Sequence, residues 1–421
     1  NRPSCEQDKC LGVMVHIENY PSTAEPARIA DYLDAQHNNI TLQKAGCEAW
    51  SCAWSPDGSY FAWSQGNRIV KLLPWSRFEH NIIPEDKQND NHKTVTIYTG
   101  ELVWALAFGS KTADTKPNSI NLNWYRYHDA KDLILATGLN SGRIRIWAVK
   151  TGQLMLELLD HKEVIRDLKF APDSSLRLAS TSRDGMIKLW DLDDDGNMYK
   201  TLKGDSKWLY SSTWSPDAKM LVSVGDSKSV IIWDMTSLKR LRRLTGHHHD
   251  VCGCDFSPDG ALLATSSYDT RIIIWDPHTG INLQEFGHLF PPPSPIFAGG
   301  ANGAYVRDVA FCHDGRHVAS ICDDMYVRFW DIEDVTAPAQ VAMINNALCC
   351  NYSPDGAVLA VGTRDGNVTF FLSPMQVLSL QHLCRMAIRR ILPSQHVPSL
   401  NIPRRLQNFL QYGNKQAIQC A

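Results

Sequence analysis

Between residues 47 and 371, apolar and polar positions alternate in short runs that end at the same kind of turn. Ser55-Pro56-Asp57-Gly58 returns as Ala171-Pro172-Asp173-Ser174, Ser215-Pro216-Asp217-Ala218, Ser257-Pro258-Asp259-Gly260, His313-Asp314-Gly315 and Ser353-Pro354-Asp355-Gly356. Pro presets φ and Gly accepts a positive φ, so each phrase predicts a tight turn between strands. Sixteen to 18 residues after each Asp stands a large aromatic: Trp75, Trp190, Trp233, Trp275, Trp330 or Phe371. Trp147 closes a further unit whose turn has given way to an insertion. From Trp147 onward the aromatics are 43, 43, 42, 55 and 41 residues apart. Within a unit, Val251-Cys252-Gly253-Cys254-Asp255-Phe256 leads through the turn to Ala261-Leu262-Leu263-Ala264-Thr265 and then Arg271-Ile272-Ile273-Ile274-Trp275. β-Branched and aromatic residues dominate, and no helix period is present. One such sheet cannot bury both faces, so neighbouring units must stack.

After Phe371 the period changes. Val377, Leu380, Cys384, Ile388 and Ile391 recur at three- and four-residue spacing, which predicts an amphipathic helix over residues 376–392 between Pro374 and Pro393. A second apolar pattern follows in Leu400, Ile402, Leu406, Phe409 and Leu410. The organisation read from this is an N-terminal segment at 1–46, a repeat body at 47–371 and a helical unit at 372–421.

Composition narrows the function classes. The chain has 421 residues, 43% hydrophobic and 21% charged, which is ordinary for a soluble protein. Length alone suggests about three domains, but a repeat overrides that count. No apolar run approaches the roughly 18 to 20 residues of a membrane span. The first ten residues are polar and suggest no secretory signal; with no Met at position 1, a targeting segment upstream stays open. The 12 cysteines are scattered, and neither Cys252/Cys254 nor Cys349/Cys350 has zinc-ligand spacing. They read as reduced thiols in strands, which suits a cytoplasmic or nuclear protein. The net charge of -3 hides a division: residues 372–421 hold six basic and no acidic residues, against 36 basic and 45 acidic elsewhere.

Gly246-His247, Asp269 and Trp275-Asp276 together resemble the signature of the WD repeat. The resemblance implies an all-β fold, a seven-bladed propeller with eight blades as the alternative, closed by an N-terminal strand. Residues 11–17 are the candidate for that strand. A His, an Asp and a Ser in each unit suggest a nucleophile triad, but a triad would be unique and this set recurs. The family implies instead a buried structural chain in each blade, here His161, Asp184 and Trp190; His247, Asp269 and Trp275; and His288, Asp324 and Trp330. Unit four departs with Asp205 at the His position, and unit seven ends on Phe371. No catalytic residue, cofactor or metal site is expected. His248 and His249 read as an exposed loop, Asp193-Asp194-Asp195 as a charged turn, and no phosphate-binding Gly loop occurs.

The C-terminal helix carries Ser379-Leu380-Gln381-His382-Leu383-Cys384-Arg385-Met386-Ala387-Ile388, which resembles the elongin-binding half of a SOCS box. Leu400-Asn401-Ile402-Pro403-Arg404-Arg405-Leu406-Gln407-Asn408-Phe409-Leu410 resembles its cullin-contact half, with Asn401 replacing the usual first Pro. The chain is thereby similar to the family of WD-repeat proteins that contain a SOCS box. That resemblance implies a non-catalytic substrate-recognition adaptor of an elongin B/C–cullin–RING ubiquitin ligase. Leu380, Leu383, Cys384 and Ile388 would contact elongin C. Leu400, Ile402, Pro403, Leu406, Phe409 and Leu410 would contact a cullin of the cullin 5 type, a choice weakened by Asn401. The client on the propeller is unidentified. The alternatives are a WD-repeat interaction scaffold in intracellular signalling, an enzyme using the propeller channel and a nucleic-acid reader using the basic tail. The expectation is neither nucleic acid nor membrane as partner.

Three segments break the period. Residues 76–99 predict a solvated loop. Residues 110–132 carry Trp124, Tyr125 and Tyr127, as binding anchors or as packing on the blade. Residues 289–303, with Pro291-Pro292-Pro293-Ser294-Pro295, predict a stiff loop, with a polyproline ligand for an SH3-type domain as the alternative.

Overall fold

The computed structural model describes residues 25–33, 47–66, 68–75, 94–110, 133–288, 305–334, 337–374 and 378–412. Their strands form seven sheets. Blades 1 to 7 span residues 52–98, 103–159, 165–203, 209–245, 251–287, 306–343 and 347–372. In every blade the first strand lies innermost and touches the first strand of the next blade, and that of blade 7 touches that of blade 1. The sheets therefore close a ring, the seven-bladed β-propeller that the repeat implies.

The turn phrases explain the local fold. Ser215 Oγ donates to Asp217 Oδ1 at 2.6 Å and accepts from the Met220 N–H at 2.8 Å. The same pair of bonds recurs at Ser257/Asp259 and Ser353/Asp355. Ala218 takes the left-handed φ of 56° that Gly260 and Gly356 supply in their turns. Between blades the core is apolar: Leu189, Leu221, Trp214 and Trp233 fill the seam of blades 3 and 4. Each fully buried side chain of this kind contributes about 1.5 to 3 kcal/mol.

Polar side chains tie the inner strands together. Asp167 Oδ2 accepts from Ser212 N of blade 4 at 2.9 Å, Asp255 Oδ2 from Phe311 N of blade 6 at 2.8 Å, and Asp308 Oδ2 from Cys350 N of blade 7 at 3.0 Å. Burial pushes the Asp255 and Asp308 carboxyls up to about 6. The backbone N–H bonds oppose that rise without cancelling it.

The ring closes through the N-terminal segment, but not through the residues the sequence pattern favoured. Residues 11–17 lie outside the described residues. Ile29–Leu33 is the closing strand, antiparallel to Val368–Leu372, with Ile29 opposite Phe371 and Leu33 opposite Val368. Just before it, Glu25–Pro26 pairs in parallel with the outer strand of blade 6. The seam between blades 7 and 1 is aromatic: Trp75 and Phe61 lie 4.9 and 5.1 Å from Phe370, centroid to centroid.

Two further readings are corrected. The loop expected over residues 76–99 ends in strand Val95–Tyr98, the outer edge of blade 1, and residues 76–93 are outside the description. The C-terminal helix begins at Leu380, later than residue 376, because Ser379 caps it by accepting from the His382 N–H at 3.1 Å. Residues 111–132 and 289–304, with Trp124, Tyr125, Tyr127 and the proline run, also fall outside the described residues. Asp193 to Asp195 do lie in an exposed turn. All nine described cysteines are free thiols.

Closure by a single added strand has a measurable consequence. Deleting residues 1–33 removes the partner of Val368–Leu372 and is expected to lower the melting temperature by roughly 10 °C or cause aggregation. Thermal melts that coincide with those of the full chain would contradict this assignment.

Candidate functional site

The recurring His, Asp and Trp side chains meet as structural corners. In blade 3, His161 Nδ1 lies 2.8 Å from Asp184 Oδ2, its Nε2 lies 2.8 Å from Ser180 Oγ, and Trp190 Nε1 donates to the same oxygen at 2.9 Å. Blade 5 repeats the chain with His247, Asp269, Thr265 and Trp275 at 2.8 to 2.9 Å. Burial pushes the Asp269 carboxyl up. The hydrogen bond and charge of His247, with the N–H groups of His248 and Arg271, outweigh that and hold it below its ordinary value. Each corner is bonded throughout, and all its side chains but the half-buried Asp184 are buried, which fixes the register of three strands. Blade 4 keeps only Trp233 Nε1 on Ser223 Oγ, at 2.9 Å, while Asp205 turns outward to Arg240 at 2.6 Å.

Blade 6 adds an arginine to the corner. Arg328 bridges His288 and Asp324, donating to His288 Nδ1 at 2.8 Å and to Asp324 Oδ2 at 2.6 Å. His288 Nε2 lies 2.9 Å from Ser320 Oγ, which also takes Trp330 Nε1 at 2.8 Å. Ligand atoms of His288, Cys322 and Asp324 lie within 4.8 Å of one another. The guanidinium already supplies the positive charge there. Burial, reinforced by that charge, pulls His288 down to about 3.

The C-terminal unit is built from helix α1, Leu380–Ile391, a 3-10 turn, Ser394–Ser399, and helix α2, Arg404–Leu410. Its orientation inverts the usual rule for an amphipathic helix. His382, Arg385 and Arg389 are the buried residues of α1. Leu380, Leu383, Ile388 and Ile391 are 76%, 46%, 42% and 85% exposed, and Cys384 is exposed beside them.

The polar side of α1 grips the turns of blade 6. His382 Nε2 donates to the Asp314 carbonyl at 2.8 Å, and its Nδ1 accepts from Arg385 Nη2 at 2.7 Å. The same Arg385 nitrogen reaches Glu333 Oε1 at 3.1 Å. Met386 lies over Gly315, where a Cβ would stand 2.8 Å from Met386 Cε; the glycine serves the turn (φ 65°) and the contact together. Arg385 also covers Phe409 and Tyr412, its Cζ 4.5 and 4.1 Å from the ring centroids. Tyr412 then donates to Asp259 Oδ2 of blade 5 at 3.0 Å.

Of the second motif, Leu410 is buried, Phe409 is half-buried beneath Arg385, and Leu400 and Ile402 are half-buried. Pro403 and Leu406 are exposed, Leu406 at 44%. Sequence reasoning found the apolar stripe but missed the anchors. The signal was present, because His382, Arg385 and Arg389 sit three and four residues apart on the other side of the same helix.

A family profile described as "SOCS box" matches residues 376–411. A second, "WD domain, G-beta repeat", matches residues 152–191, 196–234, 238–276, 293–331 and 344–371. The fold and its appended helices thus define a WD-repeat propeller that carries a SOCS box. The chain is 54% identical to "WD repeat and SOCS box-containing protein 1" of Homo sapiens and 52% identical to that of Danio rerio. Each alignment covers 88% of this chain and 92% of the relative. The chain belongs to the WD repeat and SOCS box-containing family. Blade 1 and the first three strands of blade 2 fall outside the residues the WD profile matches, and both carry insertions, at 76–93 and 111–132.

The blade 6 corner makes a pH prediction. An unfolded His titrates near 6.5 and folded His288 near 3, so between those values the unfolded chain holds the extra proton. The stability this confers is complete above pH 6.5 and drains as pH falls. Melting temperature measured from pH 6.5 to 5 should therefore fall more steeply in the native chain than in His288→Gln. Equal slopes would refute the assignment.

Proposed function

We propose that this chain is the substrate-recognition adaptor of an elongin B/C–cullin–RING ubiquitin ligase. The propeller binds a client protein, and the C-terminal box attaches the ring to elongin C and a cullin. The observation that carries this reading is the exposed aliphatic stripe on α1, held outward because the basic side of the helix is committed to blade 6. A soluble helix that exposes Leu380, Leu383, Ile388 and Ile391 together presents a docking face.

In this reading Leu380, Leu383, Cys384 and Ile388 enter or line a groove on elongin C. Exposed Pro403 and Leu406 face the cullin. Leu410 and Phe409, turned inward, hold α2 against the box, with Leu400 and Ile402 between the two roles. A cullin of the cullin 5 type suits the motif, with Asn401 reducing the fit. The adaptor's own contribution is proximity: a charged conjugating enzyme is brought near client lysines, and no bond is made or broken by this chain. Free thiols suit a reducing intracellular compartment, cytoplasmic or nuclear. A scaffold whose helices merely cap the ring is favoured by the α1–blade 6 contact. It leaves the exposed stripe without a purpose.

Burial of Leu380 is worth about 2 to 3 kcal/mol, so Leu380→Ala should weaken binding to purified elongin B/C roughly 30- to 150-fold by calorimetry. Unchanged affinity in the Leu380→Ala, Cys384→Ala double variant would overturn the assignment.

A further inference from the structure

The inner strands of blades 2 to 7 share an irregularity. Pairing with the second strand slips between Val103 and Ala105, Ile165 and Asp167, Leu209 and Ser211, Val251 and Gly253, Val306 and Asp308, and Ala347 and Cys349. A bulge leaves one residue out of the ladder and re-aims its side chain. The bulged residues stand at one level around the axis, on the face formed by the loops that enter each blade. The box occupies the other face, on the turns that follow the inner strands, at Asp314, Gly315 and Asp259.

Blades 3 and 6 carry the same Arg-Asp pair after a β-branched residue, in different company. Blade 6 reads Val306-Arg307-Asp308, and blade 3 reads Ile165-Arg166-Asp167. Arg307 is neutralised by Asp323, the residue that follows its second strand, through bonds of 2.8 and 2.6 Å. The residue at that place in blade 3 is Arg183. Among the described residues no carboxylate pairs with Arg166 or Arg183, and the Nε atoms of both are buried without a hydrogen-bond partner. Burial, and after it the charge of Arg183, pulls the Arg166 guanidinium below its ordinary value. Two adjacent cations thus stand without a counter-charge on a ring whose overall charge is negative.

Aromatic side chains frame them. Arg166 lies over Trp104 at 4.8 Å and Tyr210 at 5.8 Å, and Arg183 lies 5.8 Å from both Trp104 and Trp208. Trp208 is 44% exposed. Trp50 packs on Trp104 at 4.3 Å, with its Nε1 buried and unpartnered. Such stacking holds the guanidinium planes by their faces and leaves the in-plane N–H groups, the ones a carboxylate takes in a forked pair, to another partner.

We propose that Arg166 and Arg183, framed by Trp104, Trp208 and Tyr210, form a client-docking subsite for an acidic peptide segment. An Asp or Glu carboxylate of the client takes the place that Asp323 holds beside Arg307. An apolar or aromatic neighbour of that acid lies on Trp208. The inference rests on the reading of the propeller as the client-binding half. It places the client on the face away from the box, so elongin and client do not compete.

The test pans a display library of random unphosphorylated peptides on the full chain bound to elongin B/C, then titrates the enriched peptides. The expected result is an excess of Asp and Glu beside apolar residues. Arg183→Asp rebuilds the blade 6 ion pair within blade 3, so this variant should fold and melt like the native chain. It should weaken the enriched peptides about tenfold or more. Trp208→Ala, at an exposed position, should keep the acidic preference and lose the apolar one. Enriched peptides without acidic excess, or affinity unchanged in Arg183→Asp, overturn the proposal. So does a single-stranded RNA that displaces the peptides and loses affinity in the same variant. The titrations are repeated on the Leu380→Ala, Cys384→Ala chain without elongin, so that failure of the box and failure of this subsite are read separately.

Discussion

Every other feature of this molecule depends on closing the ring. A stack of strongly twisted four-stranded sheets has two naked ends, each an apolar face with nothing to cover it. Bending the stack into a circle lets blade 7 cover blade 1, but only if the two are held as firmly as any other pair. Here two devices do so. Ile29–Leu33 contributes the outer strand of a blade whose other strands come from the end of the repeat body, which makes the seam part of a continuous hydrogen-bonded sheet. The aromatic packing of Trp54, Phe61, Trp75 and Phe370 then fills the space behind it. With no free end, the inner strands are fixed relative to one another. Asp167, Asp255 and Asp308 can then reach across to the next blade's N–H groups.

That rigidity sets the orientation of the box. Apolar attraction alone would lay α1 stripe-down on the nearest hydrophobic surface, and the seams between blades are already filled. The ring offers α1 turns instead: a free carbonyl at Asp314, a carboxylate at Glu333 and a glycine at position 315. A helix with His382, Arg385 and Arg389 along one side suits such a surface, and the aliphatic side is left facing water. Arg385 is central, since it bonds His382 and Glu333 while its plane covers Phe409 and Tyr412. One side chain thus holds α1 to the ring and the segment after α2 to α1.

Legibility in the sequence followed how much each feature depends on local chemistry. The Ser-Pro-Asp-Gly turns and the Trp period were readable because each turn is made by residues two to five apart. The corner in blade 6 was readable in His288, Asp324 and Trp330, but Arg328, which bridges His288 and Asp324, is not part of the recurring pattern and gave no signal. The closing strand was misplaced for a different reason. Ile-Ala-Asp-Tyr-Leu is an outer strand that needs main-chain bonds and only one covered face. Residues 11–17, richer in Val and Ile, resemble an inner strand more closely. Propensity ranks buried strands above edge strands, and edge strands close rings. The bulged inner-strand positions were invisible for a third reason: Trp104, Arg166, Tyr210, Cys252, Arg307 and Leu348 follow no single residue type around the ring, only a shared place in it.

The comparison of blades 3 and 6 shows what a repeat protein can do with such a place. Repetition fixes the backbone, so Arg166 and Arg307 leave equivalent bulges with equivalent reach. The residue after the second strand then decides whether the guanidinium is satisfied within the blade. With Asp323 the position is closed, and its ion pair, half-buried, stabilises the blade as an ordinary partly screened contact. With Arg183 the same position gains a second cation, and the cost of crowding two like charges is moderated only by the surrounding rings and by water. A stability-driven sequence would place an acid there. Arginine at that site leaves a place for a counter-charge that arrives from outside the chain, on the face the box leaves open.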